Sequence, residues 1–125
     1  MAVKNGKSIY PSEHEEQKGF INWFRDNYPD LLIFAIPNGE KRAISVAKRL
    51  KAEGVVAGIP DLAILFPDSK TLFIEMKRQK GGRLSDSQKR VIPKIEALGH
   101  TVLVCYGAKD ASIKILEYIK KCHCI

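Results

Sequence analysis

The feature that most constrains the fold is a pair of short apolar segments in the middle of the chain. Residues 62–66 (Leu-Ala-Ile-Leu-Phe) and 71–75 (Thr-Leu-Phe-Ile-Glu) are separated only by residues 67–70 (Pro-Asp-Ser-Lys). Two apolar runs of this length on either side of turn-forming residues predict antiparallel strands joined as a β-hairpin. Because both runs are almost continuously apolar, we expect these strands at the centre of a sheet that is covered on both faces.

Helical and strand patterns alternate through the rest of the chain. Ser12 and Glu15 have the spacing of a capping box, which predicts a helix over residues 13–27, and Ser85 and Gln88 repeat that spacing. The other predicted elements are a strand over 31–36, a basic amphipathic helix over 41–53, a helix that starts at Ser85, is kinked or shortened at Pro93 and ends before Gly99, a strand over 101–105, and a helix over 110–121 with Ile113, Leu116 and Ile119 inward.

The predicted order of elements is helix, strand, helix, strand, strand, helix, strand, helix. Helices interleaved with strands in this way predict an α/β domain in which a mixed four-stranded sheet is flanked by helices. At 125 residues the chain has the size of one domain. We place this domain at residues 12–121, with an N-terminal extension over 1–11 and a tail over 122–125.

The composition is that of a water-soluble globular protein, and its charge is compatible with an anionic partner. The chain carries 21 Lys and Arg against 14 Asp and Glu, a formal net charge of +7. Such an excess favours polyanions such as nucleic acid, although many small basic proteins bind nothing in particular. No apolar run approaches the roughly 18 residues that would span a membrane, and the first residues lack the apolar core of a signal peptide. We therefore expect a cytoplasmic protein without a membrane partner.

Three charged residues, Asp61, Glu75 and Lys77, lie on or beside the apolar strands, where an unpaired charge is costly. Glu75 and Lys77 are two positions apart on one strand, so their side chains share a face. A two-residue hairpin loop would pair Asp61 with Met76 and turn the Asp61 carboxylate to the wrong side. A three- or five-residue loop, or a bulge, would set Asp61 opposite Glu75 or Lys77. If the three residues act together, we therefore expect a hairpin loop with an odd number of residues, or a bulge.

Two carboxylates at this separation repel each other unless a cation lies between them. Magnesium or manganese suits the position, because both ions prefer oxygen ligands. Such an ion would polarise a phosphoryl oxygen, while Lys77 would position the attacking water or offset the charge that develops on the phosphate. These residue types therefore indicate hydrolysis of phosphodiesters.

The turn at residues 58–61 (Gly-Ile-Pro-Asp) and the strand segment 75–77 (Glu-Met-Lys) together resemble the PD-(D/E)xK nuclease superfamily. Over roughly residues 12–107 the chain looks like its compact VRR-NUC (virus-type replication-repair nuclease) family. The further matches to this family are Glu15-x-Gln17, Asn38-Gly39 and Leu84-Ser85-x-x-Gln88. The resemblance implies a PD-(D/E)xK, restriction-endonuclease-like core for the α/β domain.

The resemblance also implies roles for the residues on the two central strands. Asp61 and Glu75 would hold the metal ion, with help from the backbone carbonyl of Met76. Lys77 would activate the attacking water. The implied cofactor is Mg²⁺ or Mn²⁺.

Two helix residues would complete the site by the same resemblance. An acidic residue of the first helix commonly adds to the metal site, and Glu15 is the match, with Glu16 as a rival. Gln88 would belong to the same active-site cluster. Both Glu15 and Gln88 also have a purely structural interpretation, because each closes a capping box at the start of a helix.

Family members act on DNA, which implies a DNA endonuclease. By the same resemblance it would be selective for Holliday junctions or flaps in repair, replication or recombination, and would work as a homodimer. The candidate DNA contacts are basic residues of the second helix and of the loop after the catalytic strand; a solvated helix face and a plain mobile loop are the alternatives. These residues are Lys41, Arg42, Lys48, Arg49, Lys51, Arg78, Lys80 and Arg83.

Two other functions compete with this interpretation. A catalytically silent nucleic-acid-binding module would keep the basic surfaces, but would have no use for Asp61, Glu75 and Lys77 together. A phosphoesterase that acts on small nucleotides would keep the metal site, but would not need the basic helix and loop. The salt dependence of binding separates the last case from a DNA enzyme.

Overall fold

The computed structural model of the protein describes residues 3–4, 7–38, 43–123 and 125. All eight helices and strands predicted from the sequence are present, and a short N-terminal hairpin is an addition. The elements are β1 (Val3–Lys4), β2 (Lys7–Ser8), α1 (Glu13–Asn27), β3 (Leu32–Ala35), α2 (Ile44–Ala52), β4 (Leu62–Leu65), β5 (Thr71–Lys77), α3 (Asp86–Ala97), β6 (Thr101–Tyr106) and α4 (Ala108–Cys122).

The main sheet has four strands in the order β3-β4-β5-β6. β4 is antiparallel to both β3 and β5, whereas β5 and β6 are parallel and are joined through α3. This arrangement confirms the predicted mixed sheet. β5 therefore lies between two paired strands, and its carboxyl end is held in place from both sides.

The main apolar core lies on one face of this sheet, beneath α1 and α4. Phe20, Phe24 and Ile115 of the two helices pack against strand residues that include Ile74 and Met76. Complete burial of such a side chain stabilises the fold by roughly 1.5 to 3 kcal/mol. Because Met76 points into this core, its neighbours along β5 point to the opposite face, where α3 packs.

The loop between β4 and β5 sets the register of the hairpin. The Phe66 N–H donates to the Lys70 carbonyl over 2.9 Å, so three residues form the loop, and two of them, Asp68 and Ser69, have positive φ angles of 62° and 60°. Leu62 is paired with Ile74, and one further step sets Asp61 opposite Glu75. The prediction of an odd loop is therefore confirmed.

The predicted inward face of the last helix is partly wrong. Ile113 and Leu116 are 47% and 49% exposed, whereas Ala111 and Ile115 are fully buried and Ile119 is partly buried. Apolar residues lie on more than one side of α4, and its packing against α1 and β6 selects the i, i+4, i+8 series that starts at Ala111.

Two further helices differ in detail from the predictions. α3 continues through Pro93 without interruption, so the predicted shortened segment does not occur. α2 is shorter than predicted and has no buried residue. Residues 41 and 42, the predicted start of α2, lie outside the described residues, as does Gly39 of the Asn38-Gly39 match. Within the described part of the chain, none of the helices is both long and apolar enough to cross a membrane.

Candidate active site

Three carboxylates from separate elements meet at the carboxyl end of β5. Glu13 is the first residue of α1, Asp61 directly precedes β4, and Glu75 lies near the end of β5. One carboxylate oxygen of each residue lies within 4.8 Å of the other two. The structure thus brings together the predicted Asp61 and Glu75, and adds Glu13, which the sequence analysis missed.

Asp61 is held in place by its own turn. Its Oδ2 accepts the Met76 N–H over 2.7 Å, and its backbone carbonyl accepts the Ile36 N–H over 2.8 Å. The turn comes close to α3 at Gly58, which has a φ of 87°. A Cβ added there would lie 2.4 Å from the carbonyl carbon of Ser87, so only glycine fits this contact.

The two oxygens of Glu75 have different surroundings. Oε2 accepts the Gln88 Nε2–H over 2.7 Å and lies 3.5 Å from the Lys77 Nζ. Oε1 is buried and has no hydrogen-bond donor among the described residues. Burial raises the pKa of Glu75 to about 9; the charge of Asp61 contributes to the rise and Lys77 opposes it. At neutral pH this carboxylate therefore needs additional positive charge, either a proton or a cation.

Lys77 is buried beside the acidic group, with 7% of its surface exposed. Its backbone carbonyl accepts the Gly107 N–H over 2.9 Å, which ties the end of β5 to the start of α4. A cavity of about 670 Å³ opens next to it and is lined by Glu13, His14, Lys77 and Arg83, among others. Lys77 therefore lies between the carboxylates and a space that is large enough for a nucleotide.

Gln88 combines both roles proposed for it from the sequence. Its Oε1 accepts the Ser85 N–H over 2.8 Å, and its own N–H donates to the Ser85 Oγ over 3.2 Å, so the capping box is present. The amide nitrogen of the same side chain holds Glu75. The cap therefore aims the amide at the acidic cluster.

Glu15 and Glu16 have other partners than the cluster. Glu15 is exposed and exchanges two 3.1 Å hydrogen bonds with Ser12, which lower the pKa of its carboxyl. Glu16 is buried, and its Oε1 accepts the Ala108 N–H at the start of α4 over 3.2 Å. The residue of α1 that lies beside Asp61 is Glu13.

A periodicity signal could have identified Glu13. It precedes the core residue Phe20 by seven positions, which is almost two turns of helix, so both side chains lie on the same side of α1. Glu15 is about 140° away from Phe20 around the helix axis, on the solvent side. The capping-box match to Glu15 obscured this signal.

The acidic cluster fits a divalent cation. All of its ligand atoms are carboxylate oxygens, which hard ions such as Mg²⁺ and Mn²⁺ prefer. When Glu13, Asp61 and Glu75 are ionised, three negative charges and the single positive charge of Lys77 leave two negative charges in excess. The Oε1 of Glu75, which lacks a donor, supplies lone pairs at the same point.

The described candidate DNA contacts lie on α2 and in the segment after β5. Lys48, Arg49 and Lys51 are exposed on α2, and Arg49 lies 3.9 Å from Glu53. Lys41 and Arg42 lie outside the described residues. The remaining three follow β5: Arg78 and Arg83 line the cavity beside Lys77, whereas Lys80 lines another cavity near Tyr106.

Met76 contributes its backbone to the site. Its side chain is fully buried in the core, and its N–H orients Asp61. Its carbonyl, the predicted additional metal ligand, therefore belongs to a peptide segment adjacent to the cluster.

Comparison with known proteins identifies the family of the chain. A family model described as the VRR-NUC domain matches residues 8–109. A solved structure of a "VRR_NUC domain protein" has a TM-score of 0.69 and 26% sequence identity, and the match covers 89% of this chain and 90% of that chain. A search of the curated proteins finds no match. Because the family model covers most of the 125 residues, the chain belongs to the VRR-NUC family, a family of nucleases.

Proposed function

We propose that this protein is a DNA endonuclease that uses Mg²⁺ or Mn²⁺ to hydrolyse phosphodiester bonds. The single observation that carries the proposal is the cluster of Glu13, Asp61 and Glu75 with Lys77 beside it. A structural role does not account for this cluster, because three adjacent carboxylates and a buried ammonium destabilise a small domain unless a ligand compensates them.

Some side chains of the site would bind the cation, and others hold these ligands in place. Gln88 and Lys77 occupy the Oε2 of Glu75, which leaves Oε1 for the ion. The Met76 N–H fixes the orientation of the Asp61 carboxylate, and Glu13 approaches from α1. An ion bound by these residues would supply Lewis acidity for a phosphoryl oxygen and for water.

Lys77 acts on the reacting groups. Its ammonium holds the attacking water at the edge of the cavity and offsets the negative charge that develops on the phosphate. Burial next to Glu75 restricts the side chain to a narrow range of positions, so little further ordering is needed when the substrate binds. Lys77 is therefore the residue that links the metal centre to the substrate.

DNA is the proposed substrate because the family consists of nucleases and because basic side chains flank the site. The resemblance to stand-alone family members extends the proposal to branched DNA, either Holliday junctions or flaps in repair, replication or recombination. It also extends the proposal to a homodimer, which would offer twice the positive surface to a branched substrate.

The test compares the wild type with Glu75→Gln on labelled four-way junction, flap and linear duplex DNA. Each substrate is incubated with Mg²⁺, Mn²⁺ or EDTA. Glu96→Gln is the matched control, because it makes the same chemical change at an exposed position of α3. We expect cleavage by the wild type and by Glu96→Gln in either metal, and no cleavage in EDTA or by Glu75→Gln.

DNA binding and the metal-dependent shift in Tm complete the test. Glu75→Gln should bind DNA like the wild type and should lose the rise in Tm that Mn²⁺ produces. A wild type that binds DNA but cuts none of the substrates in either metal would remove the catalytic proposal in favour of a binding module. Cleavage of mononucleotide esters alone would favour the small-nucleotide phosphoesterase.

A further inference from the structure

A second group of cations lines a groove between α2 and α3. The groove has a volume of about 530 Å³. Ala47 and Lys51 line it from α2, Ser87, Arg90 and Lys94 line it from α3, and the turn after α2 closes it. We call it the α2–α3 groove. Arg90 and Lys94 belong to none of the basic segments that the sequence analysis selected.

The charge of the α2–α3 groove is of one sign. Lys51, Arg90 and Lys94 are exposed, and neither Asp nor Glu is among the residues that line the groove. None of these three cations takes part in an ion pair with another described residue. Arg90 and Lys94 are also four positions apart on one helix, where like charges repel. This arrangement suits an anionic ligand that supplies the missing counter-charge.

One wall of the groove is packed against residues that support the acidic cluster. Ser87 in its wall directly precedes Gln88, which holds Glu75. The backbone of Ser87 is also in close contact with Gly58, in the turn that presents Asp61. The wall of the groove and the metal centre therefore belong to one packed unit.

The spacing along α3 matches a nucleic-acid strand. At 1.5 Å per residue, Arg90 and Lys94 lie about 3 Å and 9 Å along the helix from Gln88. Successive phosphates of one DNA strand advance roughly 3.4 Å along the duplex axis. The two cations are therefore about 6 Å apart along α3, which corresponds to about two nucleotide steps. Because each residue turns the helix by about 100°, both cations point away from the buried Gln88, on the outer side of α3.

We propose that the α2–α3 groove binds the sugar-phosphate backbone of the DNA outside the metal centre, on the outer side of α3. Arg90 and Lys94 contact phosphates of one strand, Arg90 through its planar fork and Lys94 as a point charge, and Lys51 lines the groove from α2. This proposal rests on the proposed nuclease function and adds the path of the substrate away from the metal.

The experiment measures how DNA affinity depends on salt, in EDTA so that no cleavage occurs. Fluorescence anisotropy with a labelled duplex and a labelled four-way junction gives the slope of log K against log salt concentration. The variant is Arg90→Gln/Lys94→Gln. Its control, Lys120→Gln/Lys121→Gln, removes the same two charges from exposed positions at the end of α4. Lys51→Gln tests the opposite wall of the groove.

Two lost phosphate contacts should make the slope of Arg90→Gln/Lys94→Gln shallower by about 2, and that of Lys51→Gln by about 1, while the control keeps the wild-type slope. Equal slopes for the groove variant and the control, or a wild type that does not bind DNA, would overturn the proposal. Cleavage in Mg²⁺ is scored separately. If the wild type cuts DNA and the groove variant keeps full affinity, only the groove proposal is disproved. If the groove variant has a shallower slope but the wild type does not cut DNA, only the proposed nuclease function is disproved.

Discussion

The helices α1 and α3 begin with the same motif, and the two copies differ in what they do. Ser12 and Glu15 exchange two hydrogen bonds at the start of α1, and Ser85 and Gln88 do so at the start of α3. Glu15 is exposed and has no partner outside this box among the hydrogen bonds and ion pairs of the described residues, whereas Gln88 is 4% exposed and also bonds Glu75. A capping box therefore fixes where a helix starts, and tertiary packing decides whether the capping side chain has a second role.

The two helices also reach the acidic cluster differently. α1 contributes Glu13, which lies two positions before its capping glutamate, while α3 contributes the capping residue itself. In α1 the cap and the site are separate residues, and in α3 they are one. Substitutions can therefore separate capping from catalysis in α1 but not in α3.

The largest difference in cleavage rate should be between variants of two glutamates in the first turn of α1, Glu13 and Glu15. Glu13→Gln removes a carboxylate from the metal cluster and should reduce cleavage by more than the roughly 10- to 100-fold that loss of a supporting residue costs. Glu15→Gln should leave cleavage within about twofold of wild type, since glutamine also closes a capping box. Initial rates at saturating Mg²⁺ check this. The reverse order of rates would return Glu15 to the metal site.

The second-largest effect should be on metal affinity, which should differ between variants of the two capping residues, Gln88 and Glu15. Gln88→Ala removes the donor that orients Glu75 and should weaken Mn²⁺ binding by about 10- to 100-fold, because it removes a group that supports a metal ligand. Glu15→Ala should bind Mn²⁺ as the wild type does. Calorimetric titration of both variants gives the comparison. Equal affinities would mean that Gln88 serves only as a cap.

The free energy of unfolding without metal should also be affected more by Gln88→Ala than by Glu15→Ala, but the difference should be smaller. Gln88→Ala loses its half of the cap and a buried hydrogen bond to the carboxyl group of Glu75, which together should lower the free energy of unfolding by about 2 kcal/mol. Glu15→Ala loses only an exposed pair of bonds and should lower it less. Urea unfolding in EDTA measures both values. A larger loss for Glu15→Ala would contradict the assignment of the buried role to α3.

The smallest effect concerns pH. The hydrogen bonds with Ser12 lower the pKa of Glu15 from its ordinary value of 4.5, so the charged form stabilises α1. This contribution is present above pH 4.5 and is lost as the pH falls through the lower pKa of the folded state. The stability advantage of wild type over Glu15→Gln should therefore shrink as the pH falls below 4.5. The box at Ser85 uses an amide and should show no such change, and an advantage that is constant with pH would refute the charged cap.

The sequence was most informative where a local rule determines position. Alternation along a strand places Glu75 and Lys77 on one face, and the parity of the hairpin loop decides the side on which Asp61 lies, so the geometry of these three residues could be predicted. The capping boxes of α1 and α3 follow from spacing in the same way.

Positions that depend on packing between elements could not be predicted in this way. The rotation of α1 against the sheet decides that Glu13, and not Glu15, lies beside Asp61. The buried side of α4 depends on its contacts with α1 and β6, because apolar residues occur on several sides of the helix. The cations of α3 resemble any solvated helix face until α2 is placed opposite them.

A crystal structure of the protein grown with Mn²⁺ would test the metal centre most directly, because anomalous scattering locates the ion without reference to activity. We expect an anomalous peak between the carboxylates of Glu13, Asp61 and Glu75, with Gln88 still bonded to the Oε2 of Glu75. A peak coordinated by Glu15 or Glu16, or a fully occupied Mn²⁺ site elsewhere with these three carboxylates unliganded, would contradict it.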